Sequence, residues 1–109
     1  MATYLTRATY TAEAFRGMIA NPEDRTAAAK SVFKAAGLKL SSVHFSPSTG
    51  EVICVADGDG IQAAALDIAV MASGAFSSVS SIELISMADL QAAMQSAAKV
   101  AKKYSPPNR

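Results

Sequence analysis

Apolar residues along the chain follow two periodicities, and their order predicts the fold. Four segments have the composition and spacing of β-strands, namely Thr3–Thr9, Leu38–Ser46, Glu51–Ala56 and Ser78–Ile85. In the segments between and after them, apolar residues recur every three to four positions, which is the spacing of a helix with one buried face. The predicted order is strand, helix, strand, strand, helix, strand, helix.

The connection between the first two strands is predicted to be helical. Thr11 is a suitable N-cap, and Phe15, Met18 and Ile19 form the apolar stripe of a short helix that stops near Ala20. Directly after it, the chain is predicted to start a second helical segment, so that the whole connection is one bent helix.

The second helical segment is predicted to start with Asn21 as its cap and Pro22 in its first position. Gly37 suits the left-handed residue that ends a helix. The apolar stripe between these ends consists of Ala29, Val32, Phe33 and Ala36.

The second and third strands are predicted to pair as a hairpin, because Pro47 and Gly50 lie in the short segment between them. A helix capped by Asp59 and followed by Gly74 comes next. Its predicted buried face carries Ile61, Ala65, Ile68 and Ala72.

The last helix is predicted to start after Ser86, which forms a variant capping box with Asp89. Its small and apolar positions are expected to contact the core or another subunit, and they are Ala93, Met94, Ala97 and Ala98. Two prolines prevent residues 105–109 from continuing the helix, so this tail is predicted to be frayed. Residues 1–104 are predicted to form one domain.

The order of elements predicts an α+β fold of the ferredoxin-like βαββαβ type with an extra C-terminal helix. In this fold, helices cover one face of an antiparallel four-stranded sheet and leave the other face open. Because soluble monomers rarely expose a large apolar patch, we expect a second copy to cover the open face. The expected assembly is a homodimer of the dimeric α/β-barrel type, or a higher oligomer.

Composition excludes several classes of function. The formal net charge of +1 gives no electrostatic reason to expect nucleic acid or an anionic membrane as a partner. The N-terminus lacks a signal-peptide pattern, and the longest apolar stretch is shorter than the roughly 20 residues of a membrane span. A soluble, cytoplasmic protein is therefore expected. With one His and one Cys, the chain is expected to have neither a disulfide nor a protein zinc site, and no cofactor is predicted.

Four polar residues are candidates for a site on the open face. A guanidinium is costly to bury, which turns Arg7 toward the open face of the first strand. Placing Ile82 and Leu84 on the helix side turns Glu83 outward, and placing Val43, Phe45, Ile53 and Val55 there turns His44 and Cys54 outward. With strand order 4-1-3-2, the predicted row across the sheet is Glu83, Arg7, Cys54 and His44.

The direction of His44 depends on a bulge. Leu38 and Leu40 have the same parity as His44, so either a bulge near Ser41 and Ser42 changes the phase of the strand, or His44 points into the core. The cost of burying an unpaired imidazole favours the outward direction.

Each candidate has a structural interpretation beside the functional one. Arg7 and Glu83 could form an ion pair at a dimer interface, or the planar guanidinium of Arg7 could bind a ligand carboxylate through two hydrogen bonds. His44 is the only obvious general base, but no motif places a second acid or nucleophile beside it, which favours a structural or interface role. Cys54 could contact a ligand, or it could pack as a small hydrophobic residue.

The chain resembles the GYD domain family over nearly its whole length. The resemblance rests on Thr3-Tyr4-Leu5, Tyr10-Thr11, the segment Ala35–Leu40, and the strand Val79–Ile85 with the helix after it. It implies a small bacterial protein with a dimeric ferredoxin-like plan. The Gly-Glu-Tyr-Asp turn that gives the family its name falls on residues 48–51, where only the final acidic position is kept, as Glu51. The resemblance supplies no catalytic residues.

The function predicted from these features is a homo-oligomeric small-molecule binding or assembly protein. Its cavity is expected at the interface between two sheets, with Arg7, Cys54 and Glu83 as ligand-binding residues and a small anionic or aromatic ligand. The alternative is a cofactor-independent enzyme of the dimeric α/β-barrel type, an oxygenase or isomerase, with His44 as its catalytic acid or base. That alternative rests on analogy of fold.

Overall fold

A computed structural model describes residues 1–107 and has four strands and four helices. The elements, in chain order, are β1 (Ala2–Tyr10), α1 (Ala12–Ala20), α2 (Thr26–Ala35), β2 (Lys39–Ser46), β3 (Glu51–Gly58), α3 (Gly60–Ala72), β4 (Phe76–Leu84) and α4 (Met87–Ala101). The predicted alternation of strands and helices is confirmed, except that the first connection contains two separate helices.

The four strands form one antiparallel sheet in the order β2, β3, β1, β4. This is the predicted ferredoxin-like order, and α4 is the predicted extra helix. The hairpin between β2 and β3 closes where the Gly50 amide donates a 2.8 Å hydrogen bond to the Ser46 carbonyl. Gly50 has a φ of 71°, a left-handed conformation that glycine adopts without a steric cost.

The core lies between the sheet and helices α2 and α3. Thr6 and Ala8 of β1 are buried on this side of the sheet. Since side chains alternate between the two faces of a strand, the even-numbered residues of β1 face the helices and the odd-numbered ones face the open side. The buried apolar cluster consists of Phe33, Leu38, Cys54, Ala56 and Leu66.

The prediction of one bent helix between β1 and β2 was wrong. Thr11 caps α1 as expected, but Asn21 is the C-terminal cap of α1 and not the start of α2. The chain is non-helical until Thr26, whose amide and hydroxyl both donate to Oδ1 of Asp24, at 2.9 and 2.6 Å. Asp24 thus supplies the local hydrogen bonds that start α2.

Helix α3 starts as predicted but buries a different face. Asp59 and Gln62 form a reciprocal capping box. The buried residues are Ala63 and Leu66, whereas Ile61 and Ile68 are exposed. The predicted stripe was therefore wrong, because α3 is apolar on most of its surface and hydrophobicity alone cannot select the face that packs on the sheet.

Helix α4 extends away from the rest of the protein. Within the described residues it has no buried side chain and no extensive contact with another element. The radius of gyration is 17.9 Å, and the longest dimension is 59 Å. A compact domain of this length has a radius of gyration of about 13 Å. An amphipathic helix is therefore left without a partner in the protomer. Residues 108 and 109 of the predicted frayed tail lie outside the described residues.

Candidate functional site

The open face of the sheet carries two of the four predicted site residues in one row. Arg7 lies opposite Ser80 of β4 and Ile53 of β3, and Ile53 lies opposite His44 of β2. Adjacent strands are about 4.8 Å apart, so the Cα atoms of Arg7 and His44 are roughly 10 Å apart. The row therefore places a guanidinium and an imidazole on the same face, separated by one aliphatic side chain.

The outward direction of His44 results from a bulge. The pairing of β2 with β3 shifts between Leu40 and Ser42, so that Leu40 pairs with Ala56 while Ser42 pairs with Val55. The shift puts Leu40 on the helix side and His44 on the open face. Of the two alternatives in the sequence, the bulge is the one that occurs.

The prediction that Cys54 faces the open side was wrong. Cys54 lies opposite Thr6 and Val43, both on the helix side, and its exposed fraction is 5%. Burial raises the pKa of the thiol to about 11. A thiol that stays protonated and buried cannot serve as a nucleophile or contact a ligand at the sheet interface.

The outward placement of Glu83 was also wrong. Glu83 lies opposite Tyr4, on the face that the helices cover. The phase of β4 follows from Ser81, whose hydroxyl donates to Asp67 of α3 at 2.8 Å and lies 2.8 Å from the hydroxyl of Thr6. Because these polar residues bond between the sheet and α3, Ile82 and Leu84 face the open side.

Arg7 is paired with Glu51 and not with Glu83. Nη2 of Arg7 donates to Oε1 of Glu51 at 2.8 Å, and Nε donates to Oε2 at 3.1 Å. The Arg7 side chain is 47% exposed and that of Glu51 14%. Hydrogen bonding and charge attraction raise the pKa of Arg7 and lower the pKa of Glu51. Sequence reasoning missed Glu51, although it starts the strand that pairs with β1.

The open face is polar at one end and apolar at the other. The polar end contains the Arg7–Glu51 pair, His44 and two serines of β4, Ser78 and Ser80. At the other end, Leu5 lies opposite both Val55 and Ile82, with Leu84 beyond them. This face thus offers an apolar contact surface beside a group of charged and hydroxyl side chains.

A cavity of about 620 Å³ lies on the opposite, helix side of the sheet. It is an open cavity bordered by α1, the segment after α1, the edge strand β2 and the neighbouring strand β3. Three aromatic rings in mutual contact form one of its walls. Tyr10 and Phe15 meet edge to face with centroids 5.4 Å apart, and Phe15 meets Phe45 at 6.2 Å. His44 also borders this cavity, where β2 forms the edge of the sheet.

A second cavity of about 360 Å³ adjoins the first one under α2 and α3. Both are bordered by Tyr10, Arg25, Val43 and Val52. Of the four phenylalanines and three tyrosines of the chain, five line these two cavities, namely Tyr10, Phe15, Phe33, Phe45 and Phe76. The sequence could not indicate the cavities, since an apolar stripe that borders a cavity has the same spacing as one that fills a core.

Side chains of the described residues do not form a metal-binding group. In residues 1–107, no three His, Cys, Asp or Glu side chains are grouped so that they could hold a metal ion. Over the same residues, no helix is long and apolar enough to cross a membrane.

Comparison with known proteins identifies the family. No curated protein and no solved structure matches the chain. The GYD domain family matches residues 4–94, from β1 to the middle of α4. This match spans the whole sheet and the helices that cover it, as the resemblance in the sequence led us to expect. With the larger part of its length matched in this way, the chain belongs to the GYD domain family.

Proposed function

We propose that this protein is a homo-oligomeric small-molecule binding or assembly protein that associates through the open sheet face and α4. The observation that carries the proposal is a run of exposed apolar side chains at the junction of β4 and α4. Six of them are Ile82, Leu84, Ile85, Met87, Leu90 and Met94. Exposed apolar side chains concentrated in one stretch of the chain mark a contact with another protein surface.

The spacing of residues in α4 supports self-association. Apolar positions alternate at intervals of three and four residues, the spacing of a helix that packs along one narrow seam, and they are Met87, Leu90, Met94, Ala97 and Ala101. An isolated helix of 15 residues is marginal in water. Packing of its seam against a second copy would stabilise α4 and bury the neighbouring apolar end of the open face.

The polar end of the open face supports a ligand site within such an interface. When two open faces pack together, Arg7, Glu51 and His44 of each copy lose much of their contact with water. Charged side chains near an enclosed space can orient a small polar ligand. Because Glu51 already occupies two nitrogens of Arg7, a bound anion would compete with this carboxylate or share the guanidinium with it.

Light scattering on matched variants tests the assembly. The wild type is expected to have at least the mass of a dimer at micromolar concentration, and Met94→Glu is expected to dissociate it by placing an unpaired charge in the seam. Ser96→Glu is the control, since it adds the same charge on the opposite side of α4. A monomeric wild type, or equal masses for both variants, would refute self-association through α4.

The second candidate function is a cofactor-independent enzyme of the dimeric α/β-barrel type that uses His44. It is favoured by the position of His44 at the sheet edge, where it shares the open face with Arg7 and borders the aromatic cavity. An imidazole can act as a general acid or base toward a substrate. Turnover of an aromatic or polyketide-like substrate that His44→Ala abolishes, with oligomeric mass unchanged, would support this function.

A further inference from the structure

We infer that the cavity between α1 and the edge of the sheet is a binding site for an uncharged, flat, aromatic or apolar molecule. This inference rests on the small-molecule binding role proposed above. It concerns a different place, because the cavity lies on the helix side of the sheet and His44 is the one open-face residue that borders it.

The space exists because α1 packs loosely. Thr11 and Asn21 fix the two ends of α1, and none of its residues is buried. Its apolar stripe of Phe15, Met18 and Ile19 nevertheless borders the cavity. Because this stripe faces the sheet but does not pack tightly against it, space remains for an apolar ligand. The volume of 620 Å³ lies within the usual size range of ligand cavities.

The aromatic wall suits a flat ligand. Tyr10 stacks on Phe76 with centroids 4.8 Å apart and meets Phe15 edge to face, so these rings hold one another in place. Phe45, on the edge strand, is 46% exposed and meets Phe15 edge to face with centroids 6.2 Å apart. A planar ring that packs beside this Phe15–Phe45 contact would gain contacts of the same kinds and cover the exposed part of Phe45.

The charges at the rim disfavour an anionic ligand, and the apolar lining disfavours a charged ligand of either sign. Arg25 borders the cavity, but its Nη1 donates to Oε1 of Glu23 at 2.8 Å. Asp24 also borders the cavity, and hydrogen bonds from Thr26 lower its pKa, so it is negative at neutral pH. Arg25 is thus offset by two carboxylates, and the rim offers an anion no net attraction. The guanidinium can still donate to a carbonyl or hydroxyl oxygen.

Two fluorescent probes of similar shape test the charge and the site together. N-phenyl-1-naphthylamine is neutral, and 1-anilinonaphthalene-8-sulfonate adds one sulfonate to the same rings. The wild type is expected to bind the neutral probe more tightly. Phe45→Ala is expected to raise the dissociation constant of the neutral probe roughly five- to tenfold, which is the usual contribution of one aromatic contact. Met18→Trp, which occupies part of the cavity without removing apolar surface, is expected to weaken binding of this probe as well.

Tyr104→Ala is the matched control, because Tyr104 is an exposed aromatic residue beyond α4 that borders neither cavity. The inference is overturned if the wild type does not bind the neutral probe, if it prefers the anionic one, if either cavity variant keeps the wild-type affinity, or if Tyr104→Ala weakens binding as much as Phe45→Ala. Circular dichroism and light scattering on the same samples report folding and self-association, so that a folded, oligomeric wild type that fails to bind the neutral probe contradicts this inference alone.

Discussion

Arg7 and Glu51 form a two-point ion pair between β1 and β3, with N–O distances of 2.8 and 3.1 Å. Arg7 is opposite Ile53 and Glu51 is opposite Thr9, so the pair lies diagonally across the two strands. The pair is on the open face. Arg7 lies in the same row as His44, and Ile53 lies between them. The pair therefore affects both the pH dependence of stability and the chemistry that this face can present.

Replacing Glu51 should remove a stabilising contribution that depends on pH. The pKa of Glu51 in the folded protein lies below its ordinary value of 4.5, chiefly because Arg7 donates hydrogen bonds to the carboxylate. The contribution is thus fully present above pH 4.5 and is lost as the pH falls through the lower, folded-state pKa. Thermal melting should show that Glu51→Gln is less stable than the wild type at pH 7 and approaches it in acid.

The control for this prediction is the same substitution in an Arg7→Gln background. Without the guanidinium, Glu51→Gln should change stability much less, and the difference should not follow the same acid transition. An unchanged pH-dependent loss in that background would show that the hydrogen bonds from Arg7 are not the cause.

The thiol of Cys54 should be inert in the folded protein. It is packed among Phe33, Leu38 and Leu66, and burial raises its pKa to about 11, so little thiolate forms at pH 8. A disulfide reagent should react slowly in buffer and fast in concentrated urea. Cys54→Ser should cost about 1–3 kcal/mol of unfolding free energy by burying a hydroxyl without a matched partner. Fast labelling of the native protein would contradict the placement of Cys54 on the helix side.

Two residues of α3 should differ strongly in their contribution to stability. Leu66 is 2% exposed and packs against the sheet, so Leu66→Ala should lower the free energy of unfolding by about 2–5 kcal/mol. Ile68 is 69% exposed, and Ile68→Ala should change the stability of the protomer by less than about 0.5 kcal/mol. Chemical denaturation measures both, and a large loss for Ile68→Ala would indicate that another copy covers this side of α3.

The element order was predictable because local signals mark the ends of the elements. Thr11, Asp59 and Ser86 accept hydrogen bonds from the first turns of α1, α3 and α4, and Gly37 and Gly74 have the left-handed φ of helix ends. These interactions involve only neighbours in sequence. They can therefore be identified without knowledge of the tertiary structure.

The faces of β3 and β4 were not predictable from the same patterns. In β3, Cys54 and Ala56 face the core while Ile53 and Val55 face outward, although the second pair is larger and more apolar. The outward pair is the choice expected if a second copy covers the open face, and a single sequence cannot distinguish that surface from the core. In β4, the decisive contact is the hydrogen bond of Ser81 to Asp67, which joins separate elements.

The last prediction concerns ligand retention at the open face. Arg7→Ala removes the fork that could hold an anionic or carbonyl group, and His44→Ala removes the imidazole in the same row. If the interface between two sheets holds a ligand, both variants should lose it in native mass spectrometry while they keep the oligomeric mass of the wild type. Ser46→Ala is a suitable control, because Ser46 lies on the same strand and face as His44 but carries no charge.

If Arg7 serves only to order the interface, Arg7→Ala should dissociate the oligomer, since it leaves Glu51 unpaired at a surface that must exclude water. If Arg7→Ala dissociates and no ligand is detected in the wild type, the hypothesis that Arg7 binds a ligand is refuted. Arg7 would then serve only to stabilise the interface between copies.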